Sequence, residues 1–520
     1  MTPETSVGES LIDLLRWRVR RQPDATAVET GREKVTYAEL WDLAANVAQG
    51  LLASGTQPGE LVGVFIDRSI ESLTHLLGTM TAGAAYVPID PLYPAERIAG
   101  MIADARLTTF LGPAPEQIKN GLSGATFLDQ AAFAPTSVRL VTPTFGPEAA
   151  AYAIFTSGTT GVPKGCLVSH GNVVSMLDGA LAHFDVSPQD RWSLQHSFSF
   201  DFSVWEMWGA FATGGCVVLF SDEEVLSPHL ALEAIGRQRI SILSQVPSVF
   251  ARLTRAPAAD APSPDSLRYV VFGGERIDLG AIRRFTRTFE ECSAQFVNMY
   301  GITEVTVHAS FAAIDPDDDD TSIGQPLANL RFDVRDGDDA CEPGNAGELW
   351  ISGPAVSLGY LARPALNAAR FIVRDGERFY RTGDVVRQRP DGEYEYVGRV
   401  DRQVKIRGYR IELEEIESVL LETLDVTGAA VVVVPHTIRG VRLTAVLESA
   451  STPSAVISGA RSRASRLLPH YMRPSQYEVC EELPLTSNGK VDTKAVSDRL
   501  TGTYPSVDHQ PPVAAIDHSV

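Results

Sequence analysis

The sequence has little cysteine, no long apolar run and no secretion signal at its start. Its 520 residues include 5 cysteines, and no two of them form a CxxC pair. This spacing argues against a disulfide framework or a zinc site and predicts reduced thiols. No apolar run reaches about 18 residues, the length that a membrane-spanning helix needs. The N-terminal stretch MTPETSVGES lacks basic and apolar regions, so we expect a cytoplasmic protein without a membrane partner.

Basic residues are fewer than acidic ones. The sequence has 45 Lys and Arg and 65 Asp and Glu, which gives a net charge of −20. A surface this acidic repels a phosphate backbone, so we expect no nucleic-acid partner. A local basic cleft for one small anion is still compatible with this charge. The composition, 44% hydrophobic and 21% charged, is that of a globular protein, and the length predicts two to four domains.

Short apolar runs that alternate with amphipathic stretches indicate a layered α/β fold with largely parallel sheets. The predicted helices include 70–81, 172–183, 229–237 and 280–290. The stretch 347–398 has strands separated by turns, which predicts a β-rich subdomain. The predicted buried strands are 61–66, 84–89, 151–156, 240–246, 269–274 and 295–300.

The alternation restarts after Arg399 and predicts a small α/β domain, with helices at 411–423 and 454–467 and strands at 429–434, 442–448 and 476–480. We therefore divide the chain into a large N-terminal domain, 1–399, and a small mobile C-terminal domain, 400–501. The charged segment GRVDRQVKIRG joins the two. Residues 502–520 are predicted to be a disordered tail.

The most informative stretch is FTSGTTGVPKG, residues 155–165, which directly follows a predicted strand. Gly158 and Gly161 allow consecutive backbone N–H groups to face one concavity, and the hydroxyls and Lys164 add further donors. Such a loop suits a polyphosphate. It is not the GxxxxGK[ST] P-loop, because the spacing differs and the lysine follows a proline.

This stretch resembles the phosphate loop of the adenylate-forming superfamily, which includes acyl-CoA synthetases, luciferases and the adenylation domains of nonribosomal peptide synthetases. Further stretches resemble that family's motifs in the same order over about 460 residues. They are VTYAEL, TAGAAYVPIDPLYP, SFDFSVWEMWG, NMYGITE, GELWISG, YRTGDV, GRVDRQVKIRGYRIELEEIE, LPHYMRP and LPLTSNGKVD.

The resemblance implies that the chain binds ATP with Mg²⁺. Tyr300 would stack on the adenine, Asp384 would accept the ribose hydroxyls, and Glu304 would hold the metal ion, which prefers carboxylate, water and phosphate oxygens. Ile302 stands where the family usually has proline. The implied nucleotide-binding residues are Thr156, Ser157, Gly158, Thr159, Thr160, Gly161, Lys164, Asn298, Met299, Tyr300, Thr303, Asp384, Arg399 and Lys490.

The resemblance also implies the catalytic residues. Lys490 would bridge the substrate carboxylate and the α-phosphate, whose mutual repulsion it screens. Thr303 would contact the α-phosphate, and Asp401 would be the hinge on which the small domain turns. In a second state Lys405 and the loop at Gly408 would approach the site, and the acyl group would pass to a phosphopantetheine thiol.

Asp201 discriminates within the superfamily, because in the peptide-synthetase branch this aspartate pairs with the α-ammonium of an amino acid. The alternative role is a helix N-cap. The implied pocket resembles the pattern of threonine-activating members, with Ser244 for a usual asparagine and Val271 for isoleucine. His308 either recognises the substrate hydroxyl or is a packed wall residue. The pocket residues are Asp201, Phe202, Trp205, Ser244, Val271, Gly273, Met299, Val307, His308 and Lys490.

The function implied is the MgATP-dependent conversion of L-threonine to aminoacyl-AMP, followed by transfer to a separate carrier protein by a stand-alone enzyme. L-2-aminobutyrate, allo-threonine and serine stay open as substrates, and an MbtH-like protein as a further partner. An acyl-CoA synthetase and a non-catalytic nucleotide-binding module are the competing functions. Asp201 argues against the first, and intact Lys490, Glu304 and Asp384 argue against the second. His196 and Cys166 receive no role.

Overall fold

The part of the chain that the structure describes forms three large sheets, a two-stranded hairpin and a small α/β unit. The computed structural model describes residues 10–133, 143–158, 163–256, 262–318, 321–436, 440–486 and 490–501. Its contacts divide the chain into two compact units, 1–412 and 413–520. The predicted boundary after residue 399 and the hinge at Asp401 stay predictions. The predicted tail, 502–520, lies outside the described residues.

A nine-stranded sheet lies in the larger unit and is parallel through its centre. Antiparallel strands close it at both edges. The register Phe272↔Asn298 and Gln245↔Phe272 aligns the carboxyl ends of three central strands, and this edge carries the candidate site. In spatial order its strands are Gln325–Pro326, Ser310–Ile314, Gln295–Asn298, Tyr269–Phe272, Ile242–Gln245, Arg191–Leu194, Cys216–Leu219, Thr26–Glu29 and Lys34–Thr36.

A seven-stranded sheet is also mostly parallel, and its antiparallel edge contains the strands that flank the glycine-rich loop. The third sheet is antiparallel and corresponds to the predicted β-rich subdomain. The strands of the seven-stranded sheet are Gly359–Tyr360, Lys164–Ser169, Ala150–Thr156, Ala85–Ile89, Leu61–Phe65, Thr109–Leu111 and Thr126–Leu128. Those of the third sheet are Asp339–Ala340, Arg331–Asp336, Ala346–Ser352, Glu377–Gln388, Phe371–Arg374 and Tyr394–Arg399.

Helices of the larger unit cover these sheets, and several begin at a side-chain cap. Thr36 and Ser169 each start a helix with a reciprocal capping box, which satisfies two backbone donors at once. The helices are Leu11–Arg21, Tyr37–Ala53, Ile70–Thr81, Ala95–Ala105, Glu116–Gly121, His170–Leu181, Phe202–Thr213, Asp222–Leu226, Pro228–Arg237, Pro247–Leu253, Leu279–Thr288 and Pro364–Arg370, with 3₁₀ turns at Gln130–Phe133 and Thr303–Val305.

The second half of the charged connection suggested by the sequence is part of the larger unit. Strands Val404–Ile406 and Tyr409–Ile411 form a two-stranded hairpin, hereafter the 404–411 hairpin. Gly408 makes its turn with φ of +80°, and a Cβ there would lie 2.6 Å from Val246 Cγ2. Glycine is therefore required at this turn, because it alone tolerates both the backbone angle and the close approach.

The smaller unit is a three-stranded sheet flanked by three helices. Strands Gly428–His436 and Gly440–Glu448 pair antiparallel, and Gln476–Cys480 runs parallel to the second. Helices Leu413–Leu421, Pro453–Leu467 and Thr493–Thr501 and the 3₁₀ turn His470–Met472 complete it. These elements confirm the predicted small α/β unit to within about two residues at most ends. The α/β fold class, with a large N-terminal part and a small C-terminal part, is likewise confirmed.

Candidate active site

The glycine-rich loop connects two paired strands of the seven-stranded sheet. Thr156 and Lys164 are Cα partners, so the loop between them returns on itself. The Thr156 hydroxyl is buried and has no hydrogen-bond partner within the described residues, whereas the Ser157 hydroxyl donates to the carbonyl of Arg410 over 2.8 Å. Gly158 is the last described residue before the gap at 159–162. The predicted loop residues Thr159, Thr160 and Gly161 lie outside the described residues.

Glu304, predicted to hold a metal ion, is fully buried and surrounded by donors. Arg410 donates to both carboxylate oxygens, over 2.9 Å to Oε1 and 2.7 Å to Oε2. The Tyr360 hydroxyl donates to Oε1 over 2.6 Å, and Lys164 Nζ lies 3.7 Å from the same atom. Burial by itself raises the pKa of a carboxyl group, but Arg410 and Lys164 hold the pKa of Glu304 well below its usual range.

Lys164 is itself buried. Its Nζ lies 4.8 Å from the centroid of the Tyr360 ring. Burial and the neighbouring Arg410 charge lower the pKa of Lys164 to about 8, although Glu304 opposes the shift. The lysine is thus a cation inside the protein, beside a carboxylate that remains ionised.

Tyr300 and Asp384, predicted for adenine and ribose, are joined directly. The Tyr300 hydroxyl donates to Asp384 Oδ2 over 2.5 Å, and Arg399 lies 2.5 Å from the other oxygen. Burial and then the Asp384 charge raise the pKa of Tyr300, so its hydroxyl stays a donor. Arg399 also binds both oxygens of Asp401 over 2.6 and 2.8 Å, so the predicted hinge residue is held by an ion pair.

Two further predicted nucleotide-binding residues lie at the carboxyl end of a strand of the nine-stranded sheet. Asn298, predicted for the adenine edge, is buried, and its Nδ2 donates to the carbonyl of Ser322 over 2.7 Å. Met299 is fully buried, and its backbone N–H donates to the carbonyl of Phe272 over 2.8 Å. Asn298 ends the strand Gln295–Asn298, and Met299 and Tyr300 directly follow it.

Asp201 begins the buried helix Phe202–Thr213, but its side chain makes no capping hydrogen bond. Its Oδ2 instead accepts a hydrogen bond from the Thr303 hydroxyl over 2.7 Å. Burial raises the pKa of Asp201, while the bond from Thr303 and the charge of Lys405 act against that rise. Lys405 Nζ lies 5.9 Å from the centroid of the Tyr300 ring, and burial lowers its pKa.

Aromatic side chains of the predicted substrate pocket pack against one another. The His308 ring packs edge-on against Phe202 and Trp205, with centroids 5.2 and 5.3 Å apart. Neither ring nitrogen of His308 makes a well-formed hydrogen bond within the described residues. Burial lowers its pKa to about 3, although an interaction with the Met299 backbone acts against that fall. Ser244 is buried too, with its hydroxyl unpaired among the described residues. A Cβ added at Gly273 would lie 3.3 Å from the Phe202 ring.

The backbone that presents His308 is unusual. Thr306 and Val307 have φ of +59° and +70°, a region that β-branched residues rarely adopt. Gly301 makes the arrangement possible, because a Cβ there would lie 1.9 Å from the Val307 carbonyl oxygen. The pocket residue Val271 is also fully buried. The structure thus places His308, which follows this strained turn, against Phe202 and Trp205.

Lys490 belongs to the smaller unit, where it is exposed. Its backbone N–H donates to the Thr486 hydroxyl over 3.2 Å, and its carbonyl accepts from Thr486 N over 2.6 Å. These contacts close the turn 486–490, of which 487–489 lie outside the described residues. The catalytic role of Lys490 stays a prediction.

Sequence reasoning missed four residues of the site. Arg410 and Tyr360 contact Glu304, and Glu275 anchors the hairpin, since its Oε1 accepts from Gly408 N over 3.0 Å. The fourth is Tyr396, whose pKa is raised by burial and then by the charge of Asp384. The run KIRGYRIE carries Arg410 within the resemblance, but nothing in the sequence pairs it with a residue about a hundred positions earlier.

Comparison with known families decides the class. The AMP-binding enzyme model matches residues 15–361, and the AMP-binding enzyme C-terminal domain matches residues 415–490. The chain belongs to the AMP-binding enzyme family. Like the adenylation domains of nonribosomal peptide synthetases, this AMP-binding enzyme is an ATP-dependent, AMP-forming ligase.

Three similar proteins illustrate the membership. The chain is 39% identical to syringomycin synthase SyrB1 of Pseudomonas syringae pv. syringae over 508 residues, covering 95% of this chain and 83% of that protein. It is 38% identical to a dimodular nonribosomal peptide synthase of Bacillus subtilis (strain 168), covering 91% of this chain but 21% of that protein. Holo-PA1221, a protein containing adenylation and PCP domains, aligns with TM-score 0.82, 28% identity and coverage of 96% and 85%.

Within the described residues, no helix of this AMP-binding enzyme is both long and apolar enough to cross a membrane. Members of the family use ATP and typically Mg²⁺. The residues at Glu304 are compatible with a metal ion, because its buried, ionised carboxylate offers the oxygen ligands that Mg²⁺ prefers.

Proposed function

We propose that the chain activates L-threonine with MgATP and passes the threonyl group to the phosphopantetheine thiol of a carrier protein. The observation that carries this proposal is the buried carboxylate of Asp201 beside an aromatic pocket. An unpaired buried charge is costly, and the α-ammonium of an amino acid would neutralise it. A fatty or aryl acid would leave the carboxylate without that partner.

The pocket supports a short side chain with one hydroxyl. The rings of Phe202, Trp205 and His308 limit the space beyond the α-carbon. His308 and Ser244 supply polar atoms that lack hydrogen bonds within the described residues. A site with such atoms rejects an analogue that lacks the matching hydroxyl, because its own groups then stay unpaired. Threonine has the side chain that this chemistry requires. Comparing its rate with those of allo-threonine, serine and L-2-aminobutyrate tests the preference.

In the first step, an oxygen of the substrate carboxylate would attack the α-phosphorus of ATP. The new P–O bond gives threonyl-AMP, and the bond to the β-phosphate breaks to release pyrophosphate. Lys490 would screen the two anions as they approach, and Thr303 would contact the α-phosphate. Glu304 would hold Mg²⁺, which neutralises the phosphates when bound.

Nucleotide binding would use the Tyr300–Asp384–Arg399 network. The Tyr300 ring would stack on adenine with Asn298 and Met299 at its edge, while Asp384 would accept the ribose hydroxyls. The loop residues from Thr156 to Gly161, with Lys164, would surround the phosphates. Arg399 would hold Asp384 in place through the ion pair described above.

In the second step, the carrier thiol would attack the threonyl carbonyl and release AMP. Holo-PA1221 is described as containing adenylation and PCP domains, which supports a carrier protein as partner. Asp401 would be the hinge between the two steps, and Lys405 would act in the second. An MbtH-like protein is a possible auxiliary partner, so assays include one.

The experiment is ATP–pyrophosphate exchange by the purified chain with a panel of acids, with and without an MbtH-like protein. We expect exchange with L-threonine to exceed that with L-valine at least tenfold, and allo-threonine, serine and L-2-aminobutyrate to fall between. Fastest exchange with octanoate or salicylate would overturn amino-acid activation. Absence of exchange with every acid, despite nucleotide binding, would favour a non-catalytic module.

A further inference from the structure

A cleft opens at the carboxyl edge of the seven-stranded sheet, away from the glycine-rich loop. The strand Leu61–Phe65 pairs parallel with Ala85–Ile89 on one side and with Thr109–Leu111 on the other, so the direction of winding reverses there. In open α/β sheets, ligands bind at such a reversal, in the crevice outside the carboxyl ends of the strands. Leu61–Phe65 and Ala85–Ile89 separate this crevice from Ala150–Thr156, the strand that leads into the glycine-rich loop.

The cleft has the size of a small-molecule site. Its volume is about 480 Å³, within the roughly 300–1,000 Å³ that is typical of such sites. Asp67, Gly112 and Asp129 line it, and each follows the end of one of three neighbouring parallel strands within two residues. Residues at the start of the helix Ile70–Thr81 line it as well. The cleft therefore lies where this type of sheet places a ligand.

His75 supplies an unused hydrogen-bond acceptor in the lining of this cleft. Only 3% of its side chain is exposed, and its Nδ1 has no hydrogen-bond partner among the described residues. Burial lowers its pKa to about 4, so the ring is neutral at pH 7, although the charge of Asp67 acts against that fall. Nε2 lies 3.8 Å from Glu71 Oε1, which favours a proton on Nε2 and leaves Nδ1 as the acceptor. A ligand N–H would satisfy this buried atom.

The charged side chains of the lining favour a cation. Asp67, Glu71 and Asp129 contribute carboxylates, and Lys119 is the one basic residue among the described residues that line the cleft. Lys119 Nζ also lies 3.7 Å from Oε1 of Glu116, a residue outside the lining, so part of its charge is already neutralised. An anionic ligand would therefore meet a net negative potential.

An organic cation fits this lining better than a metal ion does. No group of three or more His, Cys, Asp or Glu side chains among the described residues is arranged to hold a metal ion. The rest of the lining is largely apolar and includes Pro113, Phe127, Leu128 and Phe133. The Phe133 ring lies 5.4 Å from that of His75. Apolar walls bury the carbon body of a ligand, and aromatic rings attract an ammonium group.

We propose that this cleft binds a small organic ammonium ion, whose N–H donates to His75 Nδ1 and whose apolar body lies against Phe127 and Phe133. The carboxylates of the lining balance its charge. The bound species is a free small molecule with one ammonium group and an aromatic or aliphatic body. The inference concerns a site other than the predicted substrate pocket, and it does not rest on the proposed function.

The first test measures binding of 2-phenylethylammonium chloride to the purified chain by isothermal titration calorimetry. We expect one saturable site with a Kd of about 1 mM or tighter. 2-Phenylethanol keeps the ring and a donor but lacks the charge, so it should bind about fivefold more weakly. Phenylacetate carries the opposite charge and should not bind measurably. Equal binding of the alcohol or of phenylacetate, or no saturable binding of the ammonium, would overturn the proposal.

Variants of the lining locate the site. His75→Phe removes the acceptor but keeps a ring, and it should weaken binding about tenfold or more. The Glu71 side chain is about half exposed, so Glu71→Gln should fold normally and weaken binding about two- to fivefold. Glu33→Gln removes an exposed carboxylate outside the lining and should match wild type. Wild-type affinity in both His75→Phe and Glu71→Gln would place the ammonium elsewhere.

The predicted substrate pocket also contains a carboxylate, Asp201, so a further variant separates the two sites. Asp201→Asn should bind 2-phenylethylammonium as tightly as wild type does, and L-threonine should not displace the ion from the wild-type chain. Loss of binding in Asp201→Asn with full binding in His75→Phe would assign the ion to the substrate pocket and overturn the proposal. If no acid supports ATP–pyrophosphate exchange, the proposed function fails, while these binding results still decide the cleft.

A spectroscopic test examines the hydrogen bond in the wild-type chain. With ¹⁵N-labelled histidine, the Nδ1 resonance of His75 is identified by its absence from the spectrum of His75→Phe. This resonance should move upfield when 2-phenylethylammonium is added, because the unprotonated nitrogen then accepts a hydrogen bond. The resonances of the other histidines should stay in place. An unmoved His75 resonance at a saturating concentration of the ion would contradict the contact.

Discussion

The Thr303 hydroxyl donates a hydrogen bond to Asp201 Oδ2 over 2.7 Å, and both residues are buried. Asp201 starts a helix next to the proposed substrate pocket, whereas Thr303 starts the 3₁₀ turn that also carries Glu304. The bond therefore links the proposed amino-acid end of the site to its proposed phosphate end. A displacement of either side chain would therefore be transmitted to the other through this hydrogen bond.

Replacing Asp201 by asparagine tests the amino-acid end. The amide oxygen can still accept from Thr303, but the charge that would bind an α-ammonium is lost. A hydrogen bond to a charged group contributes about 1.5–3 kcal/mol, so kcat/KM for L-threonine should fall about 10- to 150-fold. ATP–pyrophosphate exchange measures this ratio. Asp178→Asn on an exposed helix position is the control, and an undiminished ratio in Asp201→Asn would contradict the ammonium contact.

Replacing Lys490 by alanine tests the proposed catalytic cation. Loss of one group that stabilises developing charge typically costs about 10²–10³ in rate, so exchange should fall by that factor. Lys490 is exposed at the turn 486–490, and the melting temperature should therefore not change. Lys494→Ala removes an exposed lysine of the same unit and should retain full exchange. If Lys490→Ala retains more than a tenth of the wild-type exchange rate, Lys490 is not the catalytic cation.

Much of the fold could be predicted, because its signals are local. Buried parallel strands are continuous apolar runs, so the strands at 61–65 and 295–298 were located to within about two residues. The burial of Lys164 could not be predicted in this way. It depends on pairing between Lys164 and Thr156 across the loop and on Tyr360, which lies almost two hundred positions later.

The resemblance implies that the 404–411 hairpin approaches the site, but its individual contacts could not be predicted. A segment as charged as DRQVKIRG is by composition typical of a solvated connection, and tertiary contacts decide where its side chains lie. Arg410 can be buried because its guanidinium donates to Glu304 and its carbonyl accepts from the Ser157 hydroxyl. Both partners lie far from Arg410 in sequence. Likewise, Asp201 is a plausible N-cap from sequence, and its bond to Thr303 emerges only when the chain is folded.

A third prediction concerns acid stability, because burial lowers the pKa of His75 to about 4. The unfolded histidine has a pKa near 6.5, so between pH 6.5 and 4 the unfolded chain binds the additional proton. Stability therefore falls with pH across this window, by up to about 1.4 kcal/mol per pH unit for one histidine. The melting temperature of His75→Phe should fall less than that of wild type between pH 7.5 and 4.5. A parallel fall in both proteins would contradict a neutral buried His75.

The last prediction concerns the pocket, where His308 is either a hydroxyl-recognising group or a wall. Its two nitrogens are unpaired among the described residues and its ring touches Phe202 and Trp205. One hydrogen bond contributes about 1 kcal/mol or more, and losing it leaves nothing to favour threonine over valine. His308→Phe keeps the wall and removes the polar atoms. We expect its threonine-to-valine ratio of kcat/KM to fall about tenfold in the exchange assay.

Ser244→Ala is the matched variant, since the Ser244 hydroxyl, like Trp205 Nε1, is a further polar group of the predicted pocket without a hydrogen bond among the described residues. If His308→Phe keeps the wild-type ratio while Ser244→Ala lowers it, His308 is a wall and Ser244 recognises the hydroxyl. A loss of activity toward both substrates in equal measure would instead assign His308 to pocket shape. Equal threonine and valine rates already in wild type would remove hydroxyl recognition altogether, because no polar contact would then separate two side chains of nearly identical size.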